Sequence, residues 1–197
     1  MLDVAPLATW EYRMKRMIIF LGAVLSVFAQ IGHSFSEEYH LIGAAEVYTL
    51  VNLHPDARQN LYSVNYLQAG LIPLCTKVRV DSVGSDRMIF TLTESGRQHT
   101  YFFHRSLRLP ISDHLDRFFG KTCDTKKIEK MSQVDQEGIS QGRVIPGMTK
   151  EGVILAIGYP PEHATPSLEA NAWRYWKNRF NTMLVHFVDG KVMRIQD

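Results

Sequence analysis

The chain has 197 residues, of which 45% are hydrophobic and 21% are charged. This length suits one domain of ordinary size or two small ones, and this balance excludes a chain that is mainly disordered. The 22 basic and 20 acidic residues leave a net charge of +2, without the large basic excess that is typical of nucleic-acid-binding proteins. Two cysteines are too few for a dense disulfide scaffold or a four-cysteine zinc site.

Residues 14–29 have the order of charge and hydropathy that is typical of a secretory signal peptide. Lys15 and Arg16 form a basic start, and an uncharged apolar run follows up to Ala29. An uncleaved membrane anchor and a buried N-terminal helix are the alternatives, but the run is shorter than the about 20 residues that a membrane span needs. The sequence therefore predicts export with cleavage near Ala29.

Residues 1–29 are thus predicted to comprise upstream residues and the signal peptide, with Met14 as the start of translation. No cysteine stands near the end of the apolar run, so attachment of a lipid is not expected. We predict a periplasmic chain that keeps no integral membrane span after cleavage and has no nucleic-acid partner.

Export would place Cys75 and Cys123 in an oxidising compartment. One interpretation is a disulfide that closes a loop of 48 positions and stabilises the fold by about 3–4 kcal/mol. The other interpretation is two separate buried thiols that pack as small hydrophobic side chains. The surroundings of the two cysteines differ, so the sequence leaves both interpretations open.

Short strands with turns between them are predicted over the first part of the mature chain. The alternation is cleanest over 76–83, where Val78 and Val80 share one face and Lys77 and Arg79 share the other. Three further strands are predicted over 61–67, 88–92 and 98–104. This spacing indicates a small antiparallel barrel or sandwich, and the segment 70–80 resembles the start of an SH3-like barrel.

A helix and a charged segment follow these strands. Ser112 can cap a helix that Gly120 would end, and the residues after it are rich in charge. We therefore predict a β-barrel-like domain over 37–120, a linker over 121–138 and a second domain over 139–197.

The second predicted domain has a helix and three strands. Thr149 is a good N-cap, and Gly158 is a good stop for the helix between them. The predicted strands cover 172–177, 182–188 and 191–195. Asp189 and Gly190 form a two-residue hairpin turn between the last two strands.

Five motifs in this order resemble the SmpA/OmlA (BamE-like) family: Gly147-Met148-Thr149, Ile157-Gly158-Tyr159-Pro160, Trp173-Arg174-Tyr175, Met183 with Val185 and Phe187, and Gly190-Lys191-Val192. The resemblance implies a small helix-plus-sheet domain in the bacterial envelope. The family's best-known members are outer-membrane lipoproteins that aid the assembly of β-barrel proteins, which implies a position peripheral to the outer membrane. The expected fold class is α+β, with a small antiparallel SH3-like barrel followed by a BamE-like helix plus three-stranded antiparallel sheet.

Two sets of residues could suggest enzyme or metal chemistry, but neither has the necessary context. Gly138 to Gly142 matches a nucleophile elbow around Ser140, yet residues 134–137 are too polar for the buried strand that must precede it. His99 and His104 are five positions apart, so they point to opposite faces of one strand and cannot bind one metal together. No catalytic residue, metal or cofactor is predicted.

The last aromatic motif provides the candidate binding residues. Trp173 and Tyr175 share one face of their strand, which is expected to pack on the predicted helix, and Trp176 lies on the other face. Trp176 and its basic neighbours Lys177 and Arg179 are therefore the predicted contacts to a partner protein. The alternative is that other parts of the same chain cover Trp176.

These observations predict a non-enzymatic accessory protein of the bacterial cell envelope. It would bind other envelope proteins, with a role in the assembly or maintenance of the outer membrane implied by the family resemblance. The alternatives are an inhibitor of an envelope enzyme and a periplasmic enzyme.

Overall fold

A computed structural model describes residues 39–197, and these residues form one compact unit. The predicted signal peptide over 14–29 and its cleavage position lie outside the described residues. Within 39–197, no helix is long and apolar enough to cross a membrane.

The first sheet in the described part of the chain has six short strands: β1 (Val47–Thr49), β2 (Asn60–Tyr62), β3 (Lys77–Val83), β4 (Arg87–Leu92), β5 (Gln98–Phe102) and β6 (Phe119–Gly120). They lie in the order β2-β5-β4-β3-β1-β6. Neighbouring strands are antiparallel except β2 and β5, which run parallel. The sheet curls into a half-barrel.

The concave side of the half-barrel holds the first hydrophobic core. Val78 and Val80 point into this core from β3, while Lys77 and Arg79 of the same strand point to solvent. This is the alternation that the sequence predicts for β3. The largest buried side chains of this core are aromatic: Phe90, Tyr101, Phe118 and Phe119.

Four helices and a second sheet complete the described fold. The helices are α1 (Ile111–Leu115), α2 (Thr125–Glu129), α3 (Gln133–Gln141) and α4 (Lys150–Ile157). The second sheet consists of β7 (Ala172–Trp176), β8 (Thr182–Val188) and β9 (Lys191–Gln196). These three strands form an antiparallel meander in chain order.

The predicted ends of α4 and the predicted hairpin turn are confirmed. The hydroxyl of Thr149 accepts a hydrogen bond from the backbone N–H of Gly152 (3.0 Å), and Gly158 follows the last helical residue with a φ of +79°. Asp189 and Gly190 both have positive φ, which a two-residue turn of this kind requires.

The predicted fold class is wrong. The first sheet is a curled, mixed, six-stranded half-barrel and not a small antiparallel SH3-like barrel, because β2 pairs with β5 in parallel. The described structure is mostly sheet, and the residues after the half-barrel contain both α3 and α4 rather than a single helix plus three strands. The strands β1, β2 and β6 have only three, three and two residues, too few for alternation to show their pairing.

The segment predicted as a linker, 121–138, contains α2 and the start of α3. A buried carboxylate in α3 connects this segment to α4. Asp135 accepts hydrogen bonds from the hydroxyl of Ser132 (2.7 Å) and from the backbone N–H of Thr149 (2.8 Å). Gly152 lies so close to this carboxylate that a Cβ atom there would collide with it. The N-termini of both helices are therefore held at one acidic side chain.

Loops of the half-barrel cap the other end of α4. Asn52, which is 2% exposed, donates from Nδ2 to the carbonyl oxygens of Ile139 (2.6 Å) and Ala156 (3.1 Å). Asn65 donates from Nδ2 to the carbonyl oxygen of Ile157 (2.7 Å). The last carbonyls of a helix lack partners within it, and these side chains supply donors to the ends of both α3 and α4. The carbonyl oxygens of Ile139 and Ala156 each have a second contact, to Gly142 N (3.1 Å) and His54 Nε2 (3.2 Å).

A buried histidine lies in the core of the half-barrel. The imidazole Nε2 of His114, on α1, is 2.9 Å from the hydroxyl of Tyr101. Burial lowers the pKa of His114 from 6.5 to about 4, and the positive charge of Arg117 lowers it further in the same direction. Burial also lowers the pKa values of His54 and His99.

We expect these histidines to make the fold sensitive to acid. The unfolded chain binds a proton at His114 below about pH 6.5, whereas the folded chain does so only near pH 4. The free energy of unfolding should therefore fall as the pH drops through this window, with about 3 kcal/mol from His114 alone. Urea unfolding at about pH 7 and about pH 4 measures the loss.

The variant His114→Gln keeps a polar side chain for Tyr101 and removes the titration. The free energy of unfolding of this variant should fall by about 3 kcal/mol less than that of the wild type over the same pH window. An equal loss in the wild type and in His114→Gln would contradict the prediction.

Candidate interaction surface

The second sheet has one buried face and one exposed face. Trp173 and Tyr175 are fully buried against α4, and the Tyr175 hydroxyl donates to the carbonyl oxygen of Gly158 (3.0 Å). The predicted packing of this aromatic face on the helix is confirmed. The opposite side of the sheet is here called the outer face and consists of Ala172, Arg174, Trp176, Thr182, Leu184, His186, Val188, Lys191, Met193, Arg194 and Gln196.

Trp176 lies on the outer face, as the alternation predicts, but other parts of the chain cover most of it. The ring of His163 stacks on its indole with centroids 6.2 Å apart. Tyr66 forms a parallel bridge to Trp176, and the backbone N–H of Leu67 donates to its carbonyl oxygen (2.9 Å). The indole Nε1 of Trp176 is buried without an acceptor. Trp176 therefore presents only part of its ring to solvent.

Lys177 and Arg179 lie in the loop between β7 and β8. The ammonium of Lys177 is 2.8 Å from the Asp197 carboxylate, and the guanidinium of Arg179 lies 4.7 Å from the centroid of the Phe180 ring. Phe180 is 75% exposed. The carbonyl of the Asn178 side chain accepts from the backbone N–H of Phe180 (2.9 Å), which holds this loop in a turn.

Phe180 is the most exposed of the residues of this surface that the sequence analysis missed. It stands between two predicted strands, where the hydrophobic pattern of a strand no longer applies. The available signal was a single aromatic residue among the polar residues of a turn. Arg179 and Phe180 together offer a partner a cation and an apolar ring at one end of the outer face.

The other end of the outer face is apolar and open. Val188 is 57% exposed and Met193 is 70% exposed. A bulge in the pairing of β8 and β9 at His186 and Phe187 leaves Met193 without a partner across the sheet. Both side chains line a shallow depression of about 740 Å³ beside Arg194. Exposed apolar side chains of this size at one place mark surfaces that other molecules cover.

The second sheet also carries an excess of positive charge. Residues 172–197 contain five basic and two acidic residues, whereas the whole chain has a net charge of only +2. Among residues 39–197, no carboxylate lies within 4 Å of the guanidinium groups of Arg174, Arg179 or Arg194. Within the described part of the chain, these arginines have no acidic partner and can pair with acidic groups of another molecule.

The motifs considered for enzyme or metal chemistry lie in ordinary structural positions. Ser140 is inside α3, and its hydroxyl donates to the carbonyl oxygen of Glu137 (2.8 Å), so it does not lie on a nucleophile elbow. His99 stacks on Phe90 within the half-barrel core. The described residues contain no group of three or more histidine, cysteine or acidic side chains that could hold a metal ion.

The other predicted pair of residues is brought together. Cys75 and Cys123 form a disulfide with Cα atoms 5.4 Å apart, so the first of the two interpretations of these cysteines is confirmed.

Comparisons with protein-family models, with curated proteins and with solved structures find no match for this chain. The interaction surface is therefore interpreted from its own geometry and charge.

Proposed function

We propose that the protein is a non-enzymatic accessory protein of the bacterial cell envelope that binds another envelope protein through the outer face. The observation that carries this proposal is the combination, on one side of the second sheet, of exposed apolar side chains with arginines that no carboxylate of residues 39–197 pairs with. Interfaces of this kind are enriched in arginine, methionine and aromatic residues. The complementary partner presents acidic groups around an apolar patch.

Trp176, Lys177 and Arg179 form one end of this proposed interface. The visible part of the Trp176 ring and the adjacent Phe180 supply apolar area, and Arg179 supplies charge. Lys177 contributes less, since it already pairs with Asp197. This division of roles assigns the strongest contacts to the arginines and to the exposed apolar side chains.

The envelope address of this proposal is supported by the predicted signal peptide and by the disulfide, because disulfides persist in oxidising compartments. The resemblance of residues 139–197 to the SmpA/OmlA (BamE-like) family supports a role in the assembly or maintenance of the outer membrane. N-terminal sequencing of the exported protein tests the address separately from the binding.

Cross-linking at Phe180 tests the binding. With the photoreactive residue benzoylphenylalanine at this position, we expect an adduct with an envelope protein in the native host. The double variant Arg174→Glu with Arg194→Glu should reduce the adduct by at least about tenfold, because acidic groups of the partner would then meet like charges. The yield of the adduct on a denaturing gel is the measurement.

Two controls make this result specific to the outer face. Arg58 and Arg97 are exposed arginines of the half-barrel, and reversing both charges should leave the Phe180 adduct unchanged. Leu71, which is 40% exposed, provides a cross-linking position outside the second sheet. An adduct that forms from Leu71 and not from Phe180 would overturn the proposed interface.

A further inference from the structure

A groove of about 440 Å³ lies beside α4, apart from the outer face. Its walls are formed by α4, by the loop after β1 and by the loop before β7. The apolar part of the lining consists of Leu50, Val51, Ile154, Leu155, Leu168 and Trp173. A volume of this size is within the range of pockets that bury a small organic ligand.

One cation in the groove, Lys150, has no counterion among residues 39–197. Among the charged residues that line it, Arg117 pairs with Glu162 (3.0 Å) and Lys127 pairs with Glu151 (2.5 Å). The described residues offer Lys150 no carboxylate within 4 Å. An anionic group of a ligand therefore gains the most binding free energy beside the half-buried ammonium of Lys150.

Lys150 also lies next to a buried donor. Its Nζ donates one hydrogen bond to the carbonyl oxygen of Leu168 (2.8 Å) and lies 5.5 Å from the centroid of the Trp173 ring. An ammonium has three donors, so two remain for a ligand. The indole N–H of Trp173 is buried and has no acceptor within the part of the chain that the structure describes. This end of the groove thus has donors in excess of acceptors.

The rest of the groove offers side chains and few free backbone groups. The carbonyl oxygen of Ile154 accepts from Gly158 N (2.7 Å), and that of Leu155 accepts from Asn52 N (2.9 Å). A peptide main chain needs a row of free donors and acceptors along its length, and α4 does not supply one. A ligand with one anionic head and an aliphatic body fits this lining better, because the head can pair with the cation and the body can contact the apolar side chains.

We propose that the groove binds a medium-chain fatty carboxylate. The carboxylate pairs with the ammonium of Lys150, and the aliphatic chain lies against Ile154, Leu155 and Leu168. Asp116 and Glu169 are exposed acidic residues of the lining and disfavour an anion beside them, so the carboxylate is placed at Lys150. This site is independent of the proposed protein interface, since the groove lining and the outer face share no residue.

Calorimetric titration of the full chain with sodium decanoate tests the proposal. Wild type should bind decanoate, and Lys150→Met, which keeps the aliphatic stem, should weaken the binding by about tenfold or more. Lys191→Met removes an exposed lysine of β9 and should leave the affinity unchanged. Glu169→Gln should strengthen the binding.

Two series on the wild type keep the test valid even if Lys150→Met does not fold. Each methylene removed between decanoate and hexanoate should weaken the binding by about threefold to fourfold. Decanol, which lacks the carboxylate, should bind at least about tenfold more weakly than decanoate. The first series measures how much the apolar wall contributes to the affinity. The second measures the contribution of the Lys150 ammonium.

Three results would overturn the proposal: no binding of decanoate, equal binding by folded Lys150→Met, or tighter binding of the acetylated dipeptide of leucine than of decanoate. The last result would assign the groove to a peptide C-terminus. None of these results alters the adduct expected at Phe180, so the two proposals can fail separately.

Discussion

Replacing Asn52 with alanine should lower the free energy of unfolding by about 4 kcal/mol. The side chain donates to the carbonyl oxygens of Ile139 and Ala156 and accepts from the backbone N–H of Leu74 (2.8 Å). Ala156 keeps a second contact, to His54 Nε2 (3.2 Å). The carbonyl oxygen of Ile139 likewise keeps a hydrogen bond from Gly142 N (3.1 Å). The substitution therefore leaves the backbone N–H of Leu74 without a partner among the described residues, at a cost of about 1–3 kcal/mol, and removes two further hydrogen bonds of about 1 kcal/mol each.

Urea unfolding of the variant and of the wild type measures this loss. Asn171→Ala is the matched control, because Asn171 is exposed and its side chain makes no hydrogen bond within the described residues. Its effect should stay within about 0.5 kcal/mol. A similar small effect of Asn52→Ala would show that water replaces the lost side chain. In that case, the hydrogen bonds of Asn52 would contribute little to the packing of the helices on the half-barrel.

Asn52 also illustrates what the sequence could not show. Its three partners lie 22, 87 and 104 positions away along the chain. An asparagine in a loop usually serves a local turn, and nothing in its neighbours distinguishes it from one that does so. Contacts between distant backbone groups and one side chain become visible only when the fold is known.

Local elements with a strong pattern were predictable. The alternation of Val78 and Val80 predicted β3, and the Thr149 cap with the Gly158 stop predicted α4 within one residue at each end. Asp189 and Gly190 predicted the hairpin between β8 and β9. In each case the physical cause lies within a few residues, so the sequence carries the whole signal.

The pairing of strands was not predictable to the same degree. The parallel contact between β2 and β5 joins segments about 40 residues apart, and β2 has only three residues. Phe119 and Gly120 were expected at the end of a helix, but they pair with Tyr48 and Thr49 in β1. Short strands are chosen by the tertiary packing of their side chains, so their own pattern does not reveal their neighbours.

The candidate interaction surface was predicted in part. The orientation of Trp176 away from Trp173 follows from the two-residue period of a strand. The cover that His163 and Tyr66 provide for Trp176 depends on loops that return from elsewhere in the chain. For the same reason, the residues beside Phe180 and Lys150 could not show that Phe180 is exposed or that no carboxylate of residues 39–197 pairs with Lys150.

Loss of the disulfide between Cys75 and Cys123 should also lower the free energy of unfolding by about 4 kcal/mol. The bridge closes a loop of 48 positions, and opening this loop in the unfolded chain increases its conformational entropy by the corresponding amount. The double variant Cys75→Ser with Cys123→Ser tests this magnitude. Its urea unfolding is compared with that of the oxidised wild type.

Loss of the disulfide should leave the rest of the folded structure unchanged. Cys75 lies in the loop before β3, where its N–H donates to the carbonyl oxygen of Thr49 (2.7 Å). Cys123 lies just before α2, in a segment with few buried side chains. The double variant should therefore keep the far-ultraviolet circular dichroism of the wild type and change mainly in its unfolding midpoint.

Treatment with a reductant distinguishes the effect of losing the disulfide from other effects of the two serine substitutions. Reduction should bring the wild type to the stability of the double variant, and it should leave the double variant unchanged because that protein has no thiol. Mass measurement after alkylation without reductant should find no labelled thiol in the exported wild type. Two labelled thiols would favour the other interpretation, in which both cysteines are separate thiols in the exported protein. The predicted address in an oxidising compartment would then lose its support from the disulfide.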